Sequence, residues 1–199
     1  MDSKLKIIGL AGTNGSGKDT VGHILADKFG YLFVPITDLL RNEAKHRNLE
    51  ITRENLRGIG NEWRREAGLG VLVDKAVAEF EPVKAEYKGV VISSLRNPGE
   101  ADRVHELDGT VLWVDADPRT RYERIQANAA NRGRAGEDRK TFEQFLAEEQ
   151  AEMNQSGDAA TLNMSAVKAQ SDITVQNDSD DVRNLESKIA EIMTNEYKD

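Results

Sequence analysis

A glycine-rich string near the start of the chain carries the clearest chemical signal in the sequence. From residue 12 to residue 18 it reads Gly-Thr-Asn-Gly-Ser-Gly-Lys, which satisfies the pattern G-x-x-x-x-G-K. Glycines let the backbone curl so that successive N–H groups point inward, and such a nest of amides binds phosphate groups. The lysine adds a full positive charge. The residues predicted to contact a nucleotide are Gly12, Thr13, Asn14, Gly15, Ser16, Gly17, Lys18, Asp19 and Thr20.

The residues that follow the lysine depart from the strict pattern. A Ser or Thr is expected directly after Lys18, but Asp19 stands there and the hydroxyl comes one position later, at Thr20. Asp19 could help to hold Mg²⁺, or it could simply place a carboxylate in the first turn of a helix, where the helix dipole favours negative charge. Both roles remain open for Asp19. Asp19 and Thr20 are therefore the candidate metal ligands.

Five β-rich runs alternate with helical patterns along the chain and supply the elements that must position this loop. They cover residues 6–10, 31–34, 89–93, 110–114 and 172–175. Such alternation predicts an α/β fold with a parallel sheet. The first, third and fourth runs are nearly continuous in Ile, Val and Leu, which predicts central strands covered on both faces. The glycine string follows the first run and precedes an amphipathic helical pattern, which is the context that a P-loop requires.

Capping residues mark further helix starts. They are Thr37 with Asp38, Asn97 with Pro98, Asp117 with Pro118, and the capping box from Thr141 to Gln144. Asn97 and Asp117 each follow a strand directly, at the sheet edge where open α/β sheets bind ligands. Residues 128–139 are polar, contain two glycines and lack an apolar period, so they predict a mobile loop. Residues 154–161 are predicted to form a surface connection.

Composition limits the classes of partner. The chain has 199 residues, which predicts one domain, and its 35 acidic and 27 basic side chains give a formal charge of −8. Binding to nucleic acid or to an anionic membrane is therefore not expected, and any anion must bind through locally placed cations. Cysteine is absent, no apolar run is long enough to cross a bilayer, and the first residues lack a signal-peptide pattern. We expect a cytoplasmic protein that is a monomer or a small homo-oligomer.

Several stretches together resemble a known family. They are Ile36-Thr-Asp-Leu-Leu-Arg41 after the second strand, Ser93-Ser-Leu-Arg96 after the third, Asp117 to Ile125, Arg132-Gly-Arg134, and Asp172 to Asp178. With the loop, they are similar to the nucleoside monophosphate kinase group of P-loop proteins, which includes adenylate kinase and, more distantly, dephospho-CoA kinase. The resemblance covers nearly the whole chain. It implies a three-layer P-loop kinase fold, with a five-stranded parallel sheet, helices on both faces and a short mobile lid.

The resemblance also implies an organisation and a set of roles. It implies a single kinase domain over residues 1–199, an acceptor-binding helical region at about 37–80 and a lid at about 128–140. The acceptor would be held by Asp38, Arg41 and Arg96. The residues implied to stabilise charge during transfer are Lys18, Arg96, Arg124, Arg132 and Arg134. These roles suit the side chains, because a guanidinium holds a phosphate through two parallel hydrogen bonds. Phosphoryl transfer needs mainly positioning of the reactants and stabilisation of charge.

One expected carboxylate is missing. The family carries an aspartate after the third strand, where this chain has Ser93 and Ser94. Asp19, Asp38 and Asp115 are the candidate substitutes for holding the water shell of Mg²⁺. In the acceptor region Asn61, Arg64 and Arg65 are equally placed to touch a substrate, and Trp63 is predicted to pack in the core, with stacking on a base as the alternative. The three histidines show no spacing typical of a catalytic or metal site.

These observations predict an ATP- and Mg²⁺-dependent phosphotransferase that acts on a small-molecule acceptor. A nucleoside or deoxynucleoside monophosphate ranks first. Dephospho-CoA is the alternative, although the aspartate motif and the Leu-Phe-Glu stretch typical of dephospho-CoA kinases are absent. A P-loop ATPase that needs no small acceptor is the rival from another class.

Overall fold

The core of the protein is a five-stranded parallel sheet. The computed structural model describes residues 7–128, 140–154 and 157–196. The strands are β1 (Ile7–Gly12), β2 (Tyr31–Pro35), β3 (Gly89–Leu95), β4 (Thr110–Asp115) and β5 (Ile173–Gln176). They pair in the order β2-β3-β1-β4-β5. The three runs predicted to be central, β1, β3 and β4, occupy the middle of the sheet.

Helices connect the strands and cover both faces of the sheet. They are α1 (Lys18–Phe29), α2 (Ile36–His46), α3 (Arg53–Ala67), α4 (Val71–Phe80), α5 (Pro98–Glu106), α6 (Pro118–Ala127), α7 (Phe142–Met153), α8 (Met164–Gln170) and α9 (Val182–Glu196), with a 3-10 turn at Glu81–Glu86. Asn97, Asp117 and Thr141 cap their helices as predicted. The predicted cap at Thr37 was wrong by two residues, because the N-cap of α2 is Pro35 and the helix begins at Ile36. Among the described residues, no helix combines the length and the apolar character that crossing a membrane requires.

Alternate strand residues face two separate apolar layers. Ile7, Val90 and Val111 pack with α4, α5 and α8 on one face, whereas Ile8 and Val91 pack with α1 and α9 on the other. Strands covered on both faces need apolar residues at every position, which explains their nearly continuous Ile, Val and Leu content. The predicted three-layer α/β fold is confirmed.

The topology opens a crevice between β1 and β3. From β1 the chain crosses to β2 on one side, and from β3 it crosses to β4 on the other, so the strand order reverses there. Ligands of open α/β sheets bind at the carboxyl ends of such strands. Here Leu10 pairs with Ser93 and Ala11 with Leu95, so that Ser94, with φ at 74°, is left out of the ladder as a bulge. Bulges of this kind redirect side chains beside functional sites.

Two predicted loops have different outcomes. The prediction of a surface connection was wrong for its last residues, because Ala160 is buried and the carbonyls of Ala159 and Thr161 accept hydrogen bonds from Asn97 Nδ2 at 2.7 and 2.8 Å. Small side chains there allow close packing on the start of α5. Residues 129–139 of the predicted lid lie outside the described part of the chain. They include Arg132 and Arg134.

Candidate functional site

The glycine-rich loop curls between β1 and α1 in a conformation that its glycines permit. Gly17 forms the N-cap of α1 with φ at 94°, in the left-handed region that favours glycine. A Cβ at Gly17 would lie only 2.4 Å from Nδ2 of Asn177. That amide donates a hydrogen bond to the Ser16 carbonyl at 2.9 Å. The loop after β5 thus fastens the phosphate loop, a side-chain role for Asn177 that no sequence pattern indicated.

A second anchor comes from α6. Arg121 is only 3% exposed, and it donates to the carbonyls of Ala116 at 2.8 Å and Asn14 at 3.5 Å. It also forms a two-pronged ion pair with Glu149 of α7. Arg121 therefore ties α6 and α7 to the tip of the loop. The resemblance drew attention to Arg124 instead. The sequence signal for Arg121 was its position four residues before the buried Ile125, on the inward face of α6.

Two hydroxyl groups of the loop lack partners. Within the described residues, Thr13 Oγ1 and Ser16 Oγ are buried and accept or donate no hydrogen bond. A buried polar group left without a partner costs about 1–3 kcal/mol. Buried hydroxyls without partners fit a loop that receives a polar ligand such as a phosphate chain.

The carboxylate of Asp19 lies at the end of β3. Ser93 Oγ donates a hydrogen bond to Asp19 Oδ1 at 2.9 Å. Of the two serines, Ser93 is therefore the one that contacts this residue of α1. The other two candidate carboxylates are engaged elsewhere. Asp38 pairs with Arg41 at 2.7 Å, and Asp115 pairs with Lys168 at 2.7 Å. Burial alone raises the pKa of Asp115, but the Lys168 ammonium outweighs it and holds that pKa below its ordinary value.

Two cavities meet at the phosphate loop. The loop cavity, of about 620 Å³, is lined by loop residues, by Arg124 and by the segment after β5. The arginine cavity, of about 440 Å³, lies between the loop, α2 and α3. Both cavities are lined by Asn14, Lys18, Asp19 and Arg41. A group held in one cavity therefore lies next to a group held in the other.

Arg124 belongs to the loop cavity and not to the arginine cavity. Its guanidinium donates to the carbonyls of Asn177 at 2.8 Å and Ser179 at 2.7 Å, and it pairs with Asp180. These contacts hold the segment that follows β5 against α6. Arg124 thus shapes the wall of the loop cavity at a distance from the arginine cavity.

Basic side chains dominate the arginine cavity. They are Lys18, Arg41, Arg53, Arg57, Arg64 and Arg96, whereas its acidic residues are Asp19, Asp38 and Glu152. Such a concentration of cations in a chain of net charge −8 indicates a site built for an anion. The cavity also has an apolar wall, which contains Phe33, Pro35, Ile36, Leu40, Leu56 and Leu162. The predicted Asp38, Arg41 and Arg96 all line this cavity; Arg53 and Arg57 were missed, although their spacing of four residues places them on one face of α3.

Arg64 is held by a buried ion pair. Glu100 is fully buried, and it accepts from Arg64 Nη2 at 2.7 Å and from the backbone N–H of Arg96 at 2.7 Å. Asn61 also contacts Arg64, while Arg65 pairs with an exposed aspartate outside the cavity. Arg64 is thus the one of these three residues that lines the cavity, and Glu100 positions both Arg64 and the backbone of Arg96.

Trp63 packs against the apolar clusters that contain residues of α2 and α4, in agreement with the predicted role in core packing. Its ring also lies 4.1 Å from the Lys75 ammonium. The indole does not line the arginine cavity. Core packing is therefore the role that the contacts of Trp63 support.

Replacing Glu100 with glutamine is expected to lower the free energy of unfolding by about 3–5 kcal/mol, because Arg64 would remain buried without a counter-ion. Urea denaturation followed by circular dichroism measures this change. The control is Glu106→Gln on the same helix, where the carboxylate is exposed and its pair with Arg103 is worth at most about 1 kcal/mol. Equal losses in the two variants would contradict the role assigned to the buried pair.

Comparison with known proteins adds sequence relatives. A family model described as an AAA domain matches residues 8–155. A UPF0200 protein of Pyrococcus abyssi is 32% identical over 152 residues, which cover 74% of this chain and 78% of that protein. A UPF0200 protein of Hyperthermus butylicus is 34% identical over 140 residues, which cover 70% of this chain and 71% of that protein.

Solved structures share the fold. A shikimate kinase from Acinetobacter baumannii in complex with shikimate aligns with a TM-score of 0.57 at 16% identity, over 98% of this chain and 97% of that one. A shikimate kinase from Bacteroides thetaiotaomicron aligns with a TM-score of 0.58 at 13% identity, over 98% of this chain and 99% of that one. The predicted resemblance to P-loop kinases is confirmed at the level of the fold.

Proposed function

The chain belongs to the AAA-domain family and to the UPF0200 proteins, and on that premise we propose that it is an ATP-dependent phosphotransferase whose acceptor is a nucleoside or deoxynucleoside monophosphate. One observation carries the proposal. The loop cavity and the arginine cavity meet at Lys18, Asp19 and Arg41, so a donor and an acceptor phosphate can lie side by side. An ATPase without an acceptor has no need of the second cavity.

The loop cavity is the proposed donor site. Backbone N–H groups of the loop and the N-terminus of α1 favour the phosphate chain, and Lys18 adds its charge. The buried hydroxyls of Thr13 and Ser16 fit the same polar ligand. The segment after β5, fastened by Asn177 and Arg124, forms another wall of this cavity and is proposed to hold the base of the nucleotide.

The arginine cavity is the proposed acceptor site. Arg41 and Arg96 reach its interior from two different elements and suit a phosphate through forked hydrogen bonds. The apolar wall suits a flat base or a sugar edge. A volume of about 440 Å³ falls within the range of about 300–1,000 Å³ that small-molecule sites occupy.

Transfer requires little covalent chemistry from the protein. The side chains of Lys18, Arg41 and Arg96 align the two phosphates and offset the negative charge that spreads over the oxygens of the group in transit. Arg132 and Arg134 are proposed to add positive charge, but they lie outside the described residues.

The site fits a magnesium ion. Asp19 presents a carboxylate fixed by Ser93, and Thr20 presents an exposed hydroxyl beside it. Within residues 7–128, 140–154 and 157–196 no group of three or more histidines or carboxylates could hold a metal ion. Magnesium is usually held by one or two carboxylates together with substrate phosphates, so the smaller set suffices. When bound, the ion would neutralise phosphate charge.

The P-loop family usually has a hydroxyl after the loop lysine and an aspartate after a strand. Here the two groups have exchanged places, since Asp19 follows the lysine and Ser93 lies two residues before the end of β3. Their hydrogen bond of 2.9 Å keeps a carboxylate and a hydroxyl together at the same junction. This exchange supports Asp19 as a metal ligand over a role limited to the helix dipole.

Release of ADP from ATP is expected only when a suitable acceptor is added. The panel contains nucleoside and deoxynucleoside monophosphates, dephospho-CoA, and shikimate, which the structural neighbour binds. A coupled assay of ADP release with each compound measures the response. Steady ADP release that is the same with every compound and with none would contradict the proposal and favour an ATPase. A response to dephospho-CoA alone would replace the proposed acceptor and retain the phosphotransferase.

A further inference from the structure

Helix α7 presents its carboxylates to arginines of other elements. Phe145 is its one fully buried side chain, and its ring packs with those of Tyr122 and Phe142. Glu148 pairs with Arg53, Glu149 with Arg121, and Glu152 with both Arg57 and Arg96. Ion pairs therefore connect α7 to the arginines of the site.

Among these carboxylates Glu152 alone lines the arginine cavity. Its Oε1 accepts a hydrogen bond from Arg57, and its Oε2 accepts one from Arg96 at 2.8 Å. Only 18% of the side chain is exposed. Burial raises the pKa of Glu152, but the charges of Arg96, Arg57 and Arg53 outweigh it, so the pKa lies below its ordinary value. Near pH 7 Glu152 is thus an anion bound between arginines inside the cavity.

We infer that Glu152 is an internal counter-anion in the anion subsite of the arginine cavity, and that a phosphate dianion of the acceptor displaces it. The inference rests on the proposed function, because it names the group that the acceptor must carry. Glu152 is then a specificity-determining residue. It holds a subsite closed until a stronger anion arrives.

The chemistry of the two anions explains the selectivity. A carboxylate offers two oxygens and one charge, which Glu152 already supplies, so a carboxylate on an acceptor gains little by exchange. A phosphate monoester offers three oxygens and a charge of about −1.5 to −2 near pH 7, and it can accept from several guanidinium groups together. Arg41, Arg57 and Arg96 line the same cavity and can share it. The subsite therefore selects phosphorylated acceptors over carboxylates.

Titration with inorganic phosphate tests the exchange. The full chain, saturated with Mg²⁺ and ADP to fill the phosphate loop, is titrated with phosphate or acetate by calorimetry. If Glu152 holds the arginines nine-tenths of the time, removing its charge tightens apparent phosphate binding about tenfold. Glu152→Gln is expected to show this gain and to bind acetate as well, whereas the wild-type chain discriminates against acetate.

The matched control is Glu143→Gln. Glu143 lies in the first turn of the same helix, is exposed and is not among the residues that line the cavity. The Glu143→Gln substitution removes the same charge and is expected to leave phosphate affinity unchanged. Glu152→Asp keeps the charge but shortens the side chain, so it cannot reach both arginines, and a smaller gain in phosphate affinity is expected. This variant also serves if Glu152→Gln fails to fold.

Three results would overturn the inference. They are an unchanged phosphate affinity in Glu152→Gln, an equal gain in Glu143→Gln, and, if Glu152→Gln does not fold, no gain in Glu152→Asp. The titration requires no phosphoryl transfer, so it separates this inference from the proposed function. Absence of transfer with an intact Glu152 effect contradicts the proposed function alone, and transfer without any Glu152 effect contradicts the inference alone.

Discussion

Replacing Lys18 with methionine is expected to lower the rate of phosphoryl transfer by about a hundred- to a thousandfold, the effect of removing one preorganised charge from a transition state. Lys18 is only 8% exposed and lines both cavities. Lys18 thus lies where the two cavities meet. The measurement is kcat with the best acceptor of the panel, together with the affinity for ATP.

The control for this change is Lys28→Met. Lys28 lies in the last turn of the same helix, half of its side chain is exposed, and it pairs with Glu186 away from both cavities. Full activity is expected in that variant. If the Lys18→Met protein folds and retains more than about a tenth of the wild-type kcat, the proposed role of Lys18 is contradicted. Loss of a charge at the reacting centre lowers kcat by far more than about tenfold.

Replacing Asp19 with asparagine is expected to be the next most damaging change. Asparagine keeps the size of the side chain and a hydrogen-bonding oxygen for Ser93 but removes the negative charge, so Mg²⁺ should bind to the ADP complex about 10 to 100 times more weakly. Ser93→Ala should weaken it less, because Ser93 positions the carboxylate and does not hold the ion. Calorimetric titration of the ADP complex with Mg²⁺ measures binding directly, and kcat at rising Mg²⁺ provides a second reading.

The alternative role of Asp19, interaction with the dipole of α1, has a different signature. If Asp19 has only this role, Asp19→Asn lowers the free energy of unfolding by about 0.3–1 kcal/mol and leaves Mg²⁺ affinity unchanged. Asp27→Asn, an exposed position on the same helix, is the charge-matched control for both readings. Unchanged Mg²⁺ affinity in Asp19→Asn would assign Asp19 to the dipole role, and the metal ligand would then have to be sought elsewhere.

Much of the fold followed from local patterns. Apolar runs without alternation identified the central strands, because strands buried on both faces require apolar residues throughout. Asn97 and Asp117 identified helix starts because their side chains accept from backbone N–H groups within two or three residues. These contacts span few residues, so a short stretch of sequence contains all of their partners.

The arginine cavity was only partly predictable. Arg41 and Arg96 stood in places that a family resemblance marked, and both line the cavity. Arg53 and Arg57 sat in a region that carried no motif, and their role depends on how α3 is docked. Glu152 lies 56 residues from its partner Arg96, a pairing that no periodicity encodes.

Residue type and spacing determined that the chain has a phosphate loop of Gly12 to Lys18 between a strand and a helix, because backbone curvature there depends on glycine itself. The contact between Asp19 and Ser93 depends on the tertiary structure. Ser93 is 74 residues from Asp19, and the pairing of β1 with β3 brings the two groups to a distance of 2.9 Å. Contacts that depend on sheet order and helix docking have no local signature, since their free energy arises from elements distant in the chain.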